Sequence, residues 1–317
     1  MSQSYITVML LGGGKRVSLA QLLKKSGKDL GYEVRILSYD LSEEVPIALE
    51  GKVIKGLRWS DPAVVEDIEK TTVKYGVNII LPMVNGSIEI AAKCREKLKD
   101  IFIPVSSHSD IFSLFDKVEA AKVFKEAKFP IPKTYSVLSA TMPAIAKPRH
   151  GGSSKGIKIF NDIEDLMHLH NLGDYIVQEY IEYRKEFTVD AYVNMEGEIL
   201  VIVPRERLEV MGGESVRTIT CRNEMLESFS RRVIERFKLR GPVNLQFIHD
   251  LDNDRYLLME VNPRLGSGVI GSILAGAPIT DYIIGEALGE KLIPCDSWKD
   301  RTLLARYLKE AVFYDDK

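Results

Sequence analysis

Gln246, Glu260 and Asn262, in the stretch "NLQFIHDLDNDRYLLMEVNPR", are oxygen-bearing side chains whose spacing could do chemistry. Strand alternation puts Tyr256, Leu258, Glu260 and Asn262 on one face, with Leu257, Met259 and Val261 on the other. A three-residue loop at Asp252, Asn253 and Asp254 sets Gln246 opposite Glu260; a two-residue loop sets it opposite Met259, on the wrong face. In the first register the three side chains converge. Oxygen ligands suit a hard cation such as Mg2+, completed by water and substrate phosphates. One carboxylate is too little charge for a tight all-protein site, yet fits a metal that arrives with a nucleotide. The competing reading is a structural polar cluster whose members satisfy one another. Pro263 then stops the strand and throws Arg264 into the same region.

A second candidate lies upstream, in "IAKPRHGGSSKGIKIF". The Gly/Ser run sits between two strands, so it is a hairpin tip whose free N–H groups could grip phosphate oxygens. Lys147 on the preceding strand would supply a fixed positive charge. A merely flexible turn explains the same residues. In "YIVQEYIEYRKEFTVD", Glu179 ends one strand and Glu186 begins the next, seven residues apart. Two acceptors bracketing a short connection could serve an adenine amino group and a ribose, with the backbone of Tyr180 and Ile181 on the adenine edge; solvated loop glutamates are the alternative. "GGGKRV" is weaker. Gly12 and Gly14 fit GxGxxG but Val17 replaces its third glycine, and Arg16 after Lys15 breaks a Walker loop. A tight strand-to-helix turn suffices.

The elements that must hold these residues fall into two patterns. "YITVMLLGGGKRVSLAQLLKKSGKDLGYEVRILSYD" reads as strand, turn, helix, strand, and "VNIILPMV" and "SIEIAAKCREKLKD" continue the alternation. "DPAVVEDIEKTTVKYG" is another helix, with Asp61 its N-cap and Pro62 its first residue. Such alternation predicts a parallel sheet with helices on both faces, over residues 1–105. From Ser106 the chain changes character. A helical stretch, "SDIFSLFDKVEAAKVFKEAKF", precedes short strands, a further helix and the hairpin above, an α+β pattern over 106–295. Residues 296–317 are expected to form a helical tail.

With 317 residues, 45% hydrophobic and 28% charged, the chain is an ordinary globular protein. A net charge of −2 gives no global reason to expect nucleic acid or an anionic membrane. Cys94, Cys221 and Cys295 are scattered, with no CxxC pair, and fit a reducing compartment. No stretch has the length of a membrane span or a secretory core, so a cytoplasmic location is expected.

Taken in order, "FDK", "AKP", "HGGSSKG", "VQEYI", "EFTVD", "NLQF" and "MEVNPR" resemble the ATP-grasp superfamily and, within it, the synthetase domains of the carbamoyl-phosphate synthase large chain. The resemblance covers about residues 106–295 and implies an ATP-grasp domain with a mobile lid at roughly 134–182. Residues 1–105 look like the Rossmann-like pre-ATP-grasp α/β domain that accompanies it. By position, Lys117 and Lys147 match the two phosphate-contacting bases, and His150, Gly151, Gly152, Ser153, Ser154 and Gly156 the glycine-rich lid loop. Glu179 matches the adenine-side acid, with Tyr180 and Ile181 as backbone contacts, and Glu186 the ribose acid. Gln246, Glu260 and Asn262 match the magnesium ligands, and Arg264 the arginine beside the transferred phosphate. Glutamine as first ligand points to the carbamoyl-phosphate synthase-like branch. The chain departs from the full synthase in carrying one such domain and no glutaminase-like segment.

The resemblance implies a ligase using ATP and Mg2+, with Mn2+ as a substitute, that makes an acyl phosphate from a carboxylate and passes the acyl group to an amine or, less readily, a thiol. Arg205, Arg207 and Arg217 in "PRERLEVMGGESVR" lie where the acyl substrate would approach, with Arg205 or Arg217 steering its carboxylate. Neither His150 nor His249 is assigned as a base. The rival readings are a nucleotide-binding regulator without turnover and a dinucleotide-dependent oxidoreductase using "GGGKR". Small-molecule substrates are the expected partners; the sequence leaves a homo-oligomer open.

Overall fold

The structure is a computed structural model describing residues 4–151 and 155–314. Gly152, Ser153 and Ser154 therefore lie outside the described residues. Strand β1 (Tyr5–Leu11) is an apolar run buried over nearly its whole length, as a central parallel strand requires. After the glycine turn come helix α1 (Val17–Asp29), β2 (Glu33–Asp40), β3 (Lys52–Lys55), α2 (Val64–Tyr75), β4 (Ile79–Pro82) and α3 (Asn85–Lys97). The four strands form a parallel sheet in the order β3-β2-β1-β4. Its two faces bury separate apolar clusters, Leu10, Leu23 and Ile36 on one side and Met9, Ile68 and Ile80 on the other. The edge strand β3 was not expected; "KVIK" is too short to show a period, and its lysines suit a sheet edge.

Helix α2 begins two residues later than its sequence suggests. Asp61 is not its N-cap: the Asp61 carboxylate accepts from the Ala63 N–H in a turn, and Pro62 lies in that turn. The helical stretch after Ser106 is also interrupted. It divides into α4 (His108–Ile111), a 3-10 turn and α5 (Lys117–Glu126). Asp116 accepts from the N–H groups of Val118 and Glu119, and this capping starts α5 afresh.

Beyond α5 lie β5 (Thr134–Tyr135), β6 (Ala144–Pro148), β7 (Lys158–Phe160), α6 (Ile163–Met167) and β8 (Tyr175–Glu179). These strands make a small antiparallel sheet, β5-β8-β6-β7, over its own core of Ala144, Ala146, Leu166 and Val177. Next are β9 (Arg184–Val193), β10 (Ile199–Met211), β11 (Glu214–Thr220), α7 (Glu224–Arg236), β12 (Gly241–Asp250) and β13 (Arg255–Asn262). After α8 (Val269–Leu274) and α9 (Ile279–Ala287) a last strand, β14 (Leu303–Ala305), completes a six-stranded antiparallel sheet, β13-β12-β9-β10-β11-β14. Helices α5 and α7 cover one face through Phe124, Phe229 and Phe237 against Phe247 and Leu245.

The expected helical tail is absent among the described residues 296–314. That segment is irregular apart from β14, which pairs antiparallel with β11. The open edge of β11 offers unpaired backbone groups, and pairing satisfies them where an isolated short helix would be marginal.

The β12–β13 hairpin places Gln246 opposite Glu260 as expected, but by a different route. Asp250 pairs with Arg255, so the loop is Leu251–Asp254 and not the three residues foreseen. The Asp250 carboxylate organises it, accepting from the Asn253 side chain at 2.9 Å and from Arg255 Nε at 2.7 Å. That loop alone would set Gln246 against Met259. A β-bulge between the Phe247–Leu258 and Gln246–Glu260 pairs supplies the missing step. The bulge also corrects the face assignment. Leu258 and Tyr256 turn to the α7 side with Val261, whereas Leu257 joins Ile181 and Ile248 on the side of the small sheet.

Candidate functional site

A cleft of about 600 Å3 opens between the small sheet and the β12–β13 hairpin. That volume is typical of a small-molecule site. One part is apolar, lined by Ile131, Ile145, Ile181 and Met259. The other carries Lys117, Lys147, Glu186, Gln246, Glu260 and Asn262. Lys147 is only 8% exposed and donates to Gln178 Oε1 at 3.1 Å, with no carboxylate in an ion pair among the described residues. Burial pushes its pKa down to about 8, although Glu260 and Glu186 pull it back up. A cation so placed gains most from an incoming anion.

Lys117, the first residue of α5, donates to the Gly151 carbonyl at 2.9 Å and so touches the glycine loop. Its neighbour Asp116 accepts from Arg149 at 2.6 Å and stands 3.6 Å from His150. This Asp116–Arg149 latch was not foreseen, although the aspartate stands in "FDK" beside a lysine that was. Gly156 needs its missing side chain: φ is +74° and a Cβ would lie 2.9 Å from Pro148 Cγ.

At the end of the cleft near Glu179 the geometry adds detail. The Glu179 carboxylate accepts from the Lys133 N–H at 2.8 Å and from Arg255 Nη2 at 2.9 Å. The Tyr180 N–H is taken by the Pro143 carbonyl, and the Ile181 carbonyl by Arg184. What remains without a backbone partner among the described residues is the Tyr180 carbonyl and the Ile181 N–H, one acceptor and one donor. Glu186 lines the cleft between Arg184 at 3.2 Å and Arg207 at 3.3 Å.

Gln246, Glu260 and Asn262 all line the cleft floor. Glu260 has no hydrogen-bond or ion-pair partner among the described residues, and the Asn262 Nδ2 atom is buried without one. An amide can be turned to exchange N for O, so an oxygen fits that orphaned position as well. Residues with spare oxygens, one of them a carboxylate, fit a divalent cation that brings further ligands with it. No cluster of three His, Cys, Asp or Glu side chains occurs among the described residues, in keeping with a set that is mostly amide.

A second, smaller cavity of about 110 Å3 adjoins the cleft and shares Asn85, Arg207, Gly213, Gln246 and Glu260 with it. Arg16, Arg205, Arg207 and Arg264 line it. Arg205 does not steer a ligand freely: it is 1% exposed and ion-paired to Asp190 at 2.8 Å, with Thr218 and Ser272 as further partners. Arg217 is not brought to the site. It is exposed on β11 and lines neither cavity. Arg207 does reach both, held by Ser215 Oγ and the Gly213 carbonyl. Arg264 donates to Asn85 Oδ1 at 2.8 Å and to the Leu265 carbonyl. Arg16, absent from the sequence-derived site, comes from the glycine turn itself. Gly12 there has φ +79° and no room for a Cβ beside Val84, so packing accounts for it.

A sequence profile described as "ATP-grasp in the biosynthetic pathway with Ter operon" matches residues 171–307. The carbamoyl phosphate synthase large chain of Methanobrevibacter smithii is 25% identical over 267 residues, 74% of this chain and 25% of that protein. The chain thus spans about 25% of the length of that relative, and 19% of the corresponding Thermoanaerobacter protein, to which it is 24% identical over 62% of its own length. Among solved structures, the biotin carboxylase domain of Hydrogenobacter thermophilus 2-oxoglutarate carboxylase, in complex with MgADP, ADP and bicarbonate, superposes with a TM-score of 0.75 at 18% identity, covering 95% of this chain and 74% of that one. N5-carboxyaminoimidazole synthetase from Staphylococcus aureus, complexed with ADP, gives 0.72 at 20% identity, covering 92% and 79%. The chain has the ATP-grasp fold, and its resemblance to carbamoyl phosphate synthase large chains extends over most of its length. No helix among the described residues is long and apolar enough to cross a membrane.

Proposed function

We propose that the chain is an ATP- and Mg2+-dependent, ADP-forming ligase that joins a small carboxylic acid to an amine. In this reading residues 106–295 are the catalytic ATP-grasp domain, 134–182 its lid, and 1–105 the Rossmann-like partner domain. The observation that carries it is the unpartnered Glu260, set between Gln246 and Asn262 on the floor of a nucleotide-sized cleft roofed by Lys147. The adenine packs on Ile145 and Met259, its edge read by the Tyr180 carbonyl and the Ile181 N–H. Glu186 faces the ribose. Gln246, Glu260 and Asn262 hold the cation, which, when bound, neutralises phosphate charge and orients the terminal phosphoryl group.

Lys147, Lys117 and Arg264 stabilise the charge that builds on that group. The acid's carboxylate oxygen bonds to the γ-phosphorus as the bond to the β,γ-bridging oxygen breaks, releasing ADP. The amine nitrogen then bonds to the acyl carbon, phosphate leaves with the C–O electron pair, and the amine proton passes to solvent or phosphate. Closure of the glycine loop, steadied by Lys117 and the Asp116–Arg149 latch, keeps water from the acyl phosphate. ADP release against a mixed library of carboxylates and amines, followed by mass spectrometry of the product, tests the reading. A product of combined mass with stoichiometric ADP is expected. MgADP binding without ADP release anywhere in the library would replace the ligase by a nucleotide-binding regulator.

A further inference from the structure

Arg16 and Arg264 face the small cavity from two elements far apart in sequence, the start of α1 and the end of β13. Neither has a carboxylate ion-pair partner among the described residues; Arg16 donates to the Met83 carbonyl at 3.1 Å and Arg264 to Asn85 and Leu265. Most of the other charges around the cavity are paired. Arg205 is paired with Asp190, and Glu214 with Arg306 at 2.6 Å from β14's end. Arg207 stands 3.3 Å from Glu186, and Glu260, without an ion-pair partner among the described residues, lines both this cavity and the cleft and attracts Arg264. Two guanidinium groups are left over against that one carboxylate, an excess of positive charge. Burial and the like charges of Arg264 and Arg306 push Arg16 down to about 10, with Glu214 opposing them, so Arg16 in particular is under electrostatic strain that an anion would relieve.

The walls make the cavity rigid and small. A Cβ on Gly266 would lie 2.4 Å from Asn244 Nδ2, and one on Gly268 2.8 Å from Arg205 Nη1, so the loop after Arg264 presses directly on the buried polar network. A volume of about 110 Å3 holds little more than a few waters' worth of ligand. Resting on the ligase reading for its orientation, we infer that the acid substrate is a compact dianion, two acidic groups a carbon or so apart: Arg264 takes the carboxylate that faces the transferred phosphate, and Arg16 takes the other. Guanidinium forks suit planar oxyanions, which favours carboxylates.

Calorimetric titration of the full chain, presaturated with MgADP, with malonate and with malonamate tests this. The two probes have the same shape and differ by one charge. Malonate is expected to bind about tenfold or more tightly. Arg16→Gln should erase the preference while leaving the MgADP titration unchanged. Arg16→Lys should reduce it, since an ammonium group cannot hold a carboxylate by two parallel bonds. Equal binding of the two probes, no measurable malonate binding, or a preference undiminished in the variants overturns the inference. If Arg16→Gln lacks a cooperative melting transition, Arg16→Lys decides alone. MgADP binding without a malonate preference sinks this inference and spares the ligase. A malonate preference lost in Arg16→Gln, in a chain that does not bind MgADP, spares the acid pocket and sinks the ligase.

Discussion

The cleft and the small cavity share a wall yet differ in their chemistry. The cleft combines an apolar end with a charged end in which Lys147 faces Glu260 and Glu186, so shape and a few charges act together. The small cavity has an excess of guanidinium groups and depends on charge far more than on apolar contact. In the proposed roles, binding energy in the first would be spread over a large ligand and in the second concentrated on one or two ions. Substitutions should therefore separate. Changes on the cleft floor should reach every step that involves the nucleotide, and changes at Arg16 the acid alone.

The sharpest break in that comparison is Glu260, which lines both cavities. Glu260→Ala should lower ATP turnover by about a thousandfold or more, because the only carboxylate of the cation set is gone. Its melting temperature should stay near wild type, since the side chain has no partner to lose. Full turnover at saturating Mg2+ would remove the cation assignment. Lys147→Met should follow, with nucleotide affinity or turnover down by about a hundredfold, read by titration and single-turnover kinetics. An unchanged nucleotide titration and rate would show that the buried lysine serves packing only.

Lys147 also gives the comparison a pH axis. Its pKa is lowered from 10.5 to about 8, so folding favours the neutral form; this group's contribution to stability is largest above 10.5 and falls away as pH drops toward 8. Triphosphate binding has the opposite sign, since the anion favours the ammonium. Below pH 8 the lysine is already charged and affinity should be flat on its account. Above it, affinity should fall by up to about tenfold per pH unit as a proton must be taken up. The Lys147→Met variant should lack this limb. A wild-type curve flat through pH 8–10 would contradict the lowered value.

What the sequence disclosed follows the same division. Lys147, Glu179, Glu186, Gln246, Glu260 and Asn262 stand on strands whose alternation and turns can be read, so the sequence alone groups them. Even there the Gln246–Glu260 pairing was right while the face of Leu258 was wrong, because a bulge leaves no mark in a hydrophobic alternation. The small cavity was hardly legible. It joins Arg16, Asn85, Arg207 and Arg264 from widely separated segments, and an arginine that balances a buried aspartate looks the same in sequence as one awaiting a ligand. Arg205 and Arg217 were accordingly misjudged. The tail failed for another reason: β14 exists only because β11 offers it an edge, and no local propensity reports that.

The smallest effect belongs to Asp116, beside the cleft residues Phe115 and Lys117, and it distinguishes loop positioning from simple helix capping. Asp116 does two things, capping α5 through Val118 and Glu119 and holding Arg149 of the loop strand at 2.6 Å. Burial pushes its carboxyl up, but Arg149 and the two N–H donors outweigh that and hold it below the usual carboxylate range. The stability it contributes is therefore present above the ordinary carboxylate pKa and lost as pH falls through its lowered one. Asp116→Ala should lose about 1 kcal/mol for the cap. Asp116→Asn keeps an oxygen for the cap and removes the negative charge that holds Arg149. If the latch positions the glycine loop, both variants should weaken nucleotide binding by a few fold, while the melting temperature falls in both and further in the alanine, which loses the cap as well as the charge. Equal nucleotide affinity in Asp116→Asn and wild type would confine Asp116 to its helix.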